Sequence, residues 1–139
     1  MNVMAQLEFN GDCRQAFEKY AELLGGEVRV MNAHGDTEDI ALPPGSTRGT
    51  PDMIRFADLQ IGDDHLLGND LPANEYRSPR GFNIALHVKG AEKARRLFDG
   101  LADGGKITAP LTKVEWAELF GLVTDRFGVP WLVLAFNDT

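Results

Sequence analysis

The sequence predicts an α+β fold built from two βαβββ modules, and three observations support this prediction. An internal repeat relates residues 7–30 to residues 86–109, and both segments run strand, glycine, helix, Gly-Gly, strand. Apolar residues in both predicted helices recur at the spacing of a single helical face. Each half then ends in a β-hairpin pattern, so the two halves share one element order.

The two predicted helices begin and end at local signals. Asp12, with Gln15 three residues later, predicts a capping box at the start of the first helix. The pairs Gly25-Gly26 and Gly104-Gly105 predict left-handed helix ends. Each helix has an apolar face at the same spacing. It comprises Cys13, Ala16, Tyr20, Leu23 and Leu24 in the first half and Ala91, Ala94, Phe98, Leu101 and Ala102 in the second.

The hairpins and loops complete the predicted organisation. The first hairpin is expected to turn at residues 62–64 and the second at residues 128–130. Residues 43–51 are rich in Pro, Gly, Ser and Thr and predict an exposed loop. We therefore expect one domain over residues 1–139, with module one at about 1–70, a linker at 71–80 and module two at about 81–139.

The composition excludes several classes of function. The 139 residues include no apolar run near the ~20 residues that a membrane span needs. A net charge of −7 provides no basic excess for binding a nucleic-acid backbone. The single cysteine is compatible with a reducing compartment, so we expect a cytoplasmic protein with no nucleic-acid or membrane partner.

Three segments of the chain carry a recognisable pattern: residues 7–28, 101–111 and 115–133. Within the last of these, the residues in order are Trp116, Gly121, Asp125, Arg126, Phe127, Gly128 and Trp131. The three segments resemble the vicinal oxygen chelate superfamily, which includes glyoxalases, bleomycin-resistance proteins and dioxygenases. The chain most resembles the PhnB-like branch, often labelled demethylubiquinone methyltransferase-like. The resemblance implies a glyoxalase-like fold, with curved mixed sheets around a cavity between the modules, a small-molecule ligand and a homodimer.

The residues do not support methyltransferase activity. A doubly wound methyltransferase needs a glycine-rich turn between a strand and a helix, in a longer chain of alternating strands and helices. In this sequence the Gly-Gly pairs follow the helices and are therefore interpreted as helix ends.

The resemblance also implies a divalent metal held by His, Glu or Gln side chains on the first and last strands of each module. Strand-by-strand matching places Met4, Leu66, Asn83 and Leu132 at these positions. PhnB-like chains often have a histidine where this chain has Phe56. Three of the four matched residues are apolar, so we predict no metal site and no cofactor. A register shift by one residue would instead make Glu8 a candidate ligand.

Polar side chains from both halves are candidate ligand-binding residues. By the repeat, Glu8 matches His87, and Gln6 matches Ala85. The residues expected on one cavity floor are Gln6, Glu8, Asn83 and His87. Leu66 and Leu132 are expected to pack at its base. The alternative is that these strand faces are simply solvated. The predicted ligand-binding residues are Gln6, Glu8, Phe56, Asp58, Asn83, His87, Trp116 and Arg126, with Thr124 projecting beside them.

Individual residues allow a structural as well as a functional interpretation. His87 is either a proton donor or acceptor in the cavity or an ordinary strand histidine. Trp116 is a cavity wall or part of the core, and Arg126 either pairs with Asp125 or binds a ligand anion. Cys13 is expected to be a buried apolar residue, since no His or Lys lies beside it in the sequence to stabilise a thiolate.

Three functions are compatible with these observations. The preferred one is a PhnB-like protein that binds a small molecule between its modules without the metal centre of the family. The second is a metal-dependent isomerase, lyase or dioxygenase. The third is a bleomycin-resistance-type drug-binding protein, for which the acidic pI of about 4.9 is compatible with a cationic drug.

Overall fold

A computed structural model describes residues 1–36, 44 and 49–136 of the chain. The chain divides into two units, Met1–Arg77 and Ser78–Thr139. The elements of unit 1 are β1 (Ala5–Phe9), α1 (Cys13–Leu24), β2 (Glu27–Ala33), a 3-10 turn (His34–Asp36), β3 (Ile54–Ile61) and β4 (Asp64–Asp70). Those of unit 2 are β5 (Ile84–Lys89), α2 (Ala91–Ala102), β6 (Lys106–Val114), β7 (Ala117–Thr124) and β8 (Pro130–Phe136).

The two units have the same topology, which confirms the predicted α+β glyoxalase-like fold of two βαβββ modules. The sheet of unit 1 has the strand order β1-β4-β3-β2, and that of unit 2 has the order β5-β8-β7-β6. In each sheet the first and last strands of the module are parallel and the other pairs are antiparallel. One helix packs on one face of each sheet, and the opposite face is called here the non-helical face.

The predicted division at residues 71–80 stays a prediction, although the boundary between the two units falls within that segment. Of the predicted loop at 43–51, Pro44 is an exposed turn residue, and Gly49, Thr50 and Pro51 lead towards β3. The rest of that loop lies outside the described residues. Among the described residues, neither helix has the length and apolarity needed to cross a bilayer.

The start of α1 is held by a residue distant in sequence. Asp12 occupies the N-cap position, but its side chain makes no capping hydrogen bond, so the predicted capping box does not form. The Cys13 backbone N–H instead donates to Oδ1 of Asp70 at 2.9 Å. The second carboxylate oxygen of Asp70 accepts from the Ile54 backbone N–H at 2.8 Å, so one buried side chain joins α1, β3 and β4.

The first helix ends at its predicted glycine, whereas α2 ends at Asp103, whose backbone is extended (φ −61°, ψ 114°) and not left-handed. Gly25 has a φ of +71° and directly follows α1, and Gly104 has a φ of +74° just after α2. The next glycine in each module lies close to a strand carbonyl. A Cβ atom at Gly26 would lie 2.7 Å from the backbone oxygen of Gln60, and one at Gly105 would clash with the backbone oxygen of Thr124. Each Gly-Gly pair therefore supplies both a left-handed turn and a close approach to the sheet.

Each sheet has a glycine beneath an aromatic ring of its helix. A Cβ atom at Gly68 in β4 would lie 2.6 Å from Cζ of Phe17. A Cβ atom at Gly121 in β7 would lie 2.7 Å from Cε1 of Phe98. These glycines leave room for the rings, and the helical face of each sheet is therefore densely packed.

We expect replacement of Asp70 by alanine to lower the free energy of unfolding by about 2–4 kcal/mol, because two buried N–H groups would lose a charged acceptor. Chemical denaturation of the two proteins measures the difference. Asp64→Ala is the matched control, since Asp64 is an exposed acid on the same strand. An Asp70 variant as stable as the Asp64 variant would contradict this account.

Candidate functional site

The non-helical face of unit 1 brings together four of the predicted site residues. In β1 alternate residues are buried, so Gln6 and Glu8 project to the opposite face and are exposed. Strand pairing places Gln6 beside Leu67 and Leu67 beside Asp58. Phe56 is two residues from Asp58 in β3 and lies on the same face, and both are half-buried.

Two side-chain hydrogen bonds link strands on this face. The Gln6 amide donates from Nε2 to Oδ1 of Asn69 at 3.0 Å. The His65 ring nitrogen Nδ1 lies 2.7 Å from Oδ1 of Asp58, with both side chains partly buried. Neither His65 nor Asn69 was predicted to be a site residue. The sequence signal for the His65–Asp58 pair is the short Gly62-containing turn, because a tight hairpin places residues of β3 and β4 on the same face at small separations from the turn.

The non-helical face of unit 2 is more apolar. His87 lies on it, exposed, with Leu134 as its neighbour on β8. Leu132 is also on this face and is half-buried. Asn83 is exposed and lies just before β5, so it stands at the edge of this face and outside the strand.

The expectation for Leu66 is wrong, because its side chain is buried on the helical face. Two residues join β3 to β4, whereas five join β7 to β8. One connection has an even number of residues and the other an odd number, which shifts the strand register by one residue. Leu66 and Leu132 therefore lie on opposite faces of their sheets, although each is four residues after a turn glycine. Leu67 has the equivalent position to Leu132, because Gln6 pairs with Leu67 and its counterpart Ala85 pairs with Leu132.

Arg126, one of the predicted ligand-binding residues, lies outside the strands. Arg126 lies in the turn between β7 and β8, where its guanidinium stands 4.8 Å from the centre of the Phe127 ring. Asp125 holds this turn by accepting from the Phe127 and Val129 backbone N–H groups at 2.9 and 3.0 Å. Its other oxygen accepts from Nε1 of Trp131 at 2.8 Å. Thr124, the last residue of β7, pairs with Pro130.

Trp116 lines a groove at one end of unit 2. It is 65% exposed, and its ring packs edge-on against the Phe120 ring with 5.0 Å between the ring centroids. The groove has a volume of about 530 Å³. Its lining combines two carboxylates, a lysine and aromatic rings: Lys113, Val114, Glu115, Trp116, Ala117, Glu118 and Phe136. Trp116 is thus a groove wall and is excluded from the core.

The residues present do not fit the metal centre that the resemblance implies. Leu66 is buried on the helical face, and Leu132 is apolar. Met4 precedes β1 and offers only a thioether, a soft ligand that suits few divalent metals. Within residues 1–36, 44 and 49–136, no three His, Cys, Asp or Glu side chains are grouped so that they could hold a metal ion.

Cys13 is fully buried, as expected for an apolar core residue. Burial raises the pKa of its thiol, and the nearby Asp70 carboxylate raises it further. The raised pKa keeps the thiol protonated at neutral pH, so the sulfur cannot serve as a nucleophile.

A family model for the Glyoxalase/Bleomycin resistance protein/Dioxygenase superfamily matches residues 7–133. The chain belongs to this superfamily. It is 32% identical to Protein YjdN of Escherichia coli strain K12, over 96% of this chain and 94% of that protein. The family resemblance noted in the sequence is therefore confirmed.

Solved structures extend the superfamily likeness to three dimensions. Protein PA1353 from Pseudomonas aeruginosa has a TM-score of 0.88 and 37% identity, with 99% of each chain covered. The PhnB protein from Bacillus cereus has a TM-score of 0.78 and covers 97% of this chain and 99% of its own. Its identity of 19% makes this second likeness one of fold.

We expect iodoacetamide to leave Cys13 unmodified in the folded protein up to about pH 9, because the raised pKa and burial withhold the thiolate. Mass spectrometry of the intact protein measures the modification. The same reaction in denaturant is the control and should modify the single cysteine fully. Rapid alkylation of the folded protein would show that the thiol is accessible.

Proposed function

We propose that this superfamily member binds a small molecule on the non-helical faces of its sheets, without the metal centre of the family. The supporting observation is the group of side chains on unit 1 formed by Gln6, Glu8, Phe56, Asp58, His65 and Asn69. Polar groups that converge beside an aromatic ring are typical of small-molecule sites.

The hydrogen bonds on this face favour binding over simple solvation. Gln6 and Asp58 are each held by a partner on β4, so their side chains are already oriented before a ligand arrives. Oriented polar groups lose less conformational entropy on binding than mobile surface side chains do. Glu8 is exposed beside Asn69 and supplies a carboxylate to the same face.

We also propose a cytoplasmic protein with no nucleic-acid partner. The support is compositional: a net charge of −7 and a single buried cysteine that cannot form an internal disulfide.

The groove of unit 2 favours a second candidate, the binding of a cationic drug-like molecule as in a bleomycin-resistance-type protein. Trp116 offers an exposed aromatic face, and Glu115 and Glu118 place two carboxylates beside it. Aromatic rings and carboxylates together attract organic cations. Lys113 in the same lining opposes a cation, so this candidate stands second.

The metal-dependent isomerase, lyase or dioxygenase is the alternative that the donor set does not favour. Metal analysis of the purified protein separates it from the proposed function. A stoichiometric divalent metal that is lost on chelation would favour the enzyme.

We expect Glu8→Ala and His87→Ala each to weaken binding of a small-molecule hit by about 1–3 kcal/mol, since each removes an exposed polar partner. Isothermal titration calorimetry with a hit from a thermal-shift screen measures the affinities. Stability should change little. Loss of affinity in these variants supports binding on the non-helical faces.

The matched control is Glu22→Ala, which removes an exposed acid from α1. Trp116→Ala tests the second candidate, because it should weaken a cation bound in the groove of unit 2. Unchanged affinity in both the Glu8 and His87 variants, with loss in the Trp116 variant, would favour the drug-binding function over the proposed one.

We further propose a homodimer, because each four-stranded sheet has long edges that closed assemblies often cover. Light scattering at micromolar concentration should give about twice the chain mass of 15.3 kDa. A particle of 15.3 kDa under these conditions would contradict the dimer.

A further inference from the structure

The hydrogen bond between Asp58 and His65 determines which nitrogen of the imidazole ring carries the proton. Oδ1 of Asp58 lies 2.7 Å from Nδ1 of His65, a distance typical of a charge-assisted hydrogen bond. A carboxylate accepts only, so Nδ1 is the nitrogen that holds the proton. In the neutral ring, Nε2 is then the unprotonated nitrogen and a hydrogen-bond acceptor.

Strand pairing holds both members of this pair. Asp58 pairs with Leu67, and His65 pairs with Gln60 on the neighbouring strand, so the two side chains are diagonal neighbours on one face. The Gln60 amide is itself engaged, since it donates to the Gly62 carbonyl at 3.0 Å. Among the described residues Nε2 makes no hydrogen bond, which leaves it available to a ligand.

We propose that the Asp58–His65 pair is a proton-accepting site for a small molecule with an acidic O–H or N–H group, such as a phenol or an enol. This inference rests on the proposed function and assigns a chemical class to the ligand of unit 1. The O–H or N–H bond of the ligand breaks, its proton moves to Nε2, and the electron pair stays on the ligand as an anion. Asp58 stabilises the imidazolium that results.

The surroundings suit such a ligand. The half-buried ring of Phe56 lies on the same face and can pack against an aromatic or conjugated molecule. Leu67, between Gln6 and Asp58, adds apolar surface next to the pair. Partial burial of both members strengthens their interaction relative to an exposed pair.

The first test reads the tautomer without any ligand. Long-range ¹H–¹⁵N spectra of ¹⁵N-histidine-labelled protein, recorded at about pH 9 where a typical imidazole is neutral, distinguish a proton on Nδ1 from one on Nε2. We expect His65 to hold its proton on Nδ1 in the wild type and to lose this preference in Asp58→Ala. Asp64→Ala, which removes an exposed acid next to His65 in sequence, should leave the tautomer unchanged.

The second test uses 4-nitrophenol, whose phenolate absorbs visible light. At a pH near neutrality, we expect binding to the wild type to raise the ionisation constant of the phenol about tenfold, because the imidazolium stabilises the phenolate. His65→Ala and Asp58→Ala should remove this increase, and Asp64→Ala should retain it.

Two results would overturn the inference. One is a proton on Nε2 of His65 in the wild type, or the same tautomer in Asp58→Ala. The other is a phenolate fraction in the wild type equal to that in His65→Ala. If other small molecules still bind to unit 1 and their affinity falls in Glu8→Ala, the proposed function stands and only the proton-accepting role fails.

Discussion

The arrangement of unit 1 depends on two hydrogen bonds that the carboxylate of Asp70 accepts. This side chain is 5% exposed, at the end of β4, and it accepts from the first residue of α1 and the first residue of β3. One buried anion thus determines where the helix begins and where two strands meet. Because the helix then covers one face of the sheet, Gln6, Asp58 and His65 are directed to the other face.

The connection between the last two strands of each module determines which residues share a face. The turn has two residues in unit 1 and five residues in unit 2. Residues at equal distances from the turn glycine therefore lie on opposite faces of the two sheets. The larger turn needs its own support, which Asp125 supplies through two backbone N–H groups and the Trp131 indole. The two modules therefore share a topology but differ in which residues of their last strands face away from the helix.

The non-helical faces of the two units differ in chemistry. That of unit 1 holds amide, carboxylate and imidazole groups joined by hydrogen bonds across strands. That of unit 2 holds leucines and aromatic rings, with polar groups at His87 and around the Trp116 groove. Membership of the superfamily defines the fold but leaves the reaction open, because function in such folds depends on the side chains of the site.

Local patterns in the sequence were sufficient for the fold. Helical periodicity, the Gly-Gly pairs and the repeat predicted both modules, because helix and turn signals depend on neighbours a few residues apart. The superfamily came from the resemblance of three segments to its members, which the family model confirms. They also placed Gln6, Glu8, Phe56 and Asp58 on one side of their strands. Only the tertiary structure decided that Leu66 is buried, that Arg126 lies in a turn and that His65 meets Asp58. Those outcomes depend on strand register and on turn length, and a change of one residue there moves a side chain to the opposite face of the sheet.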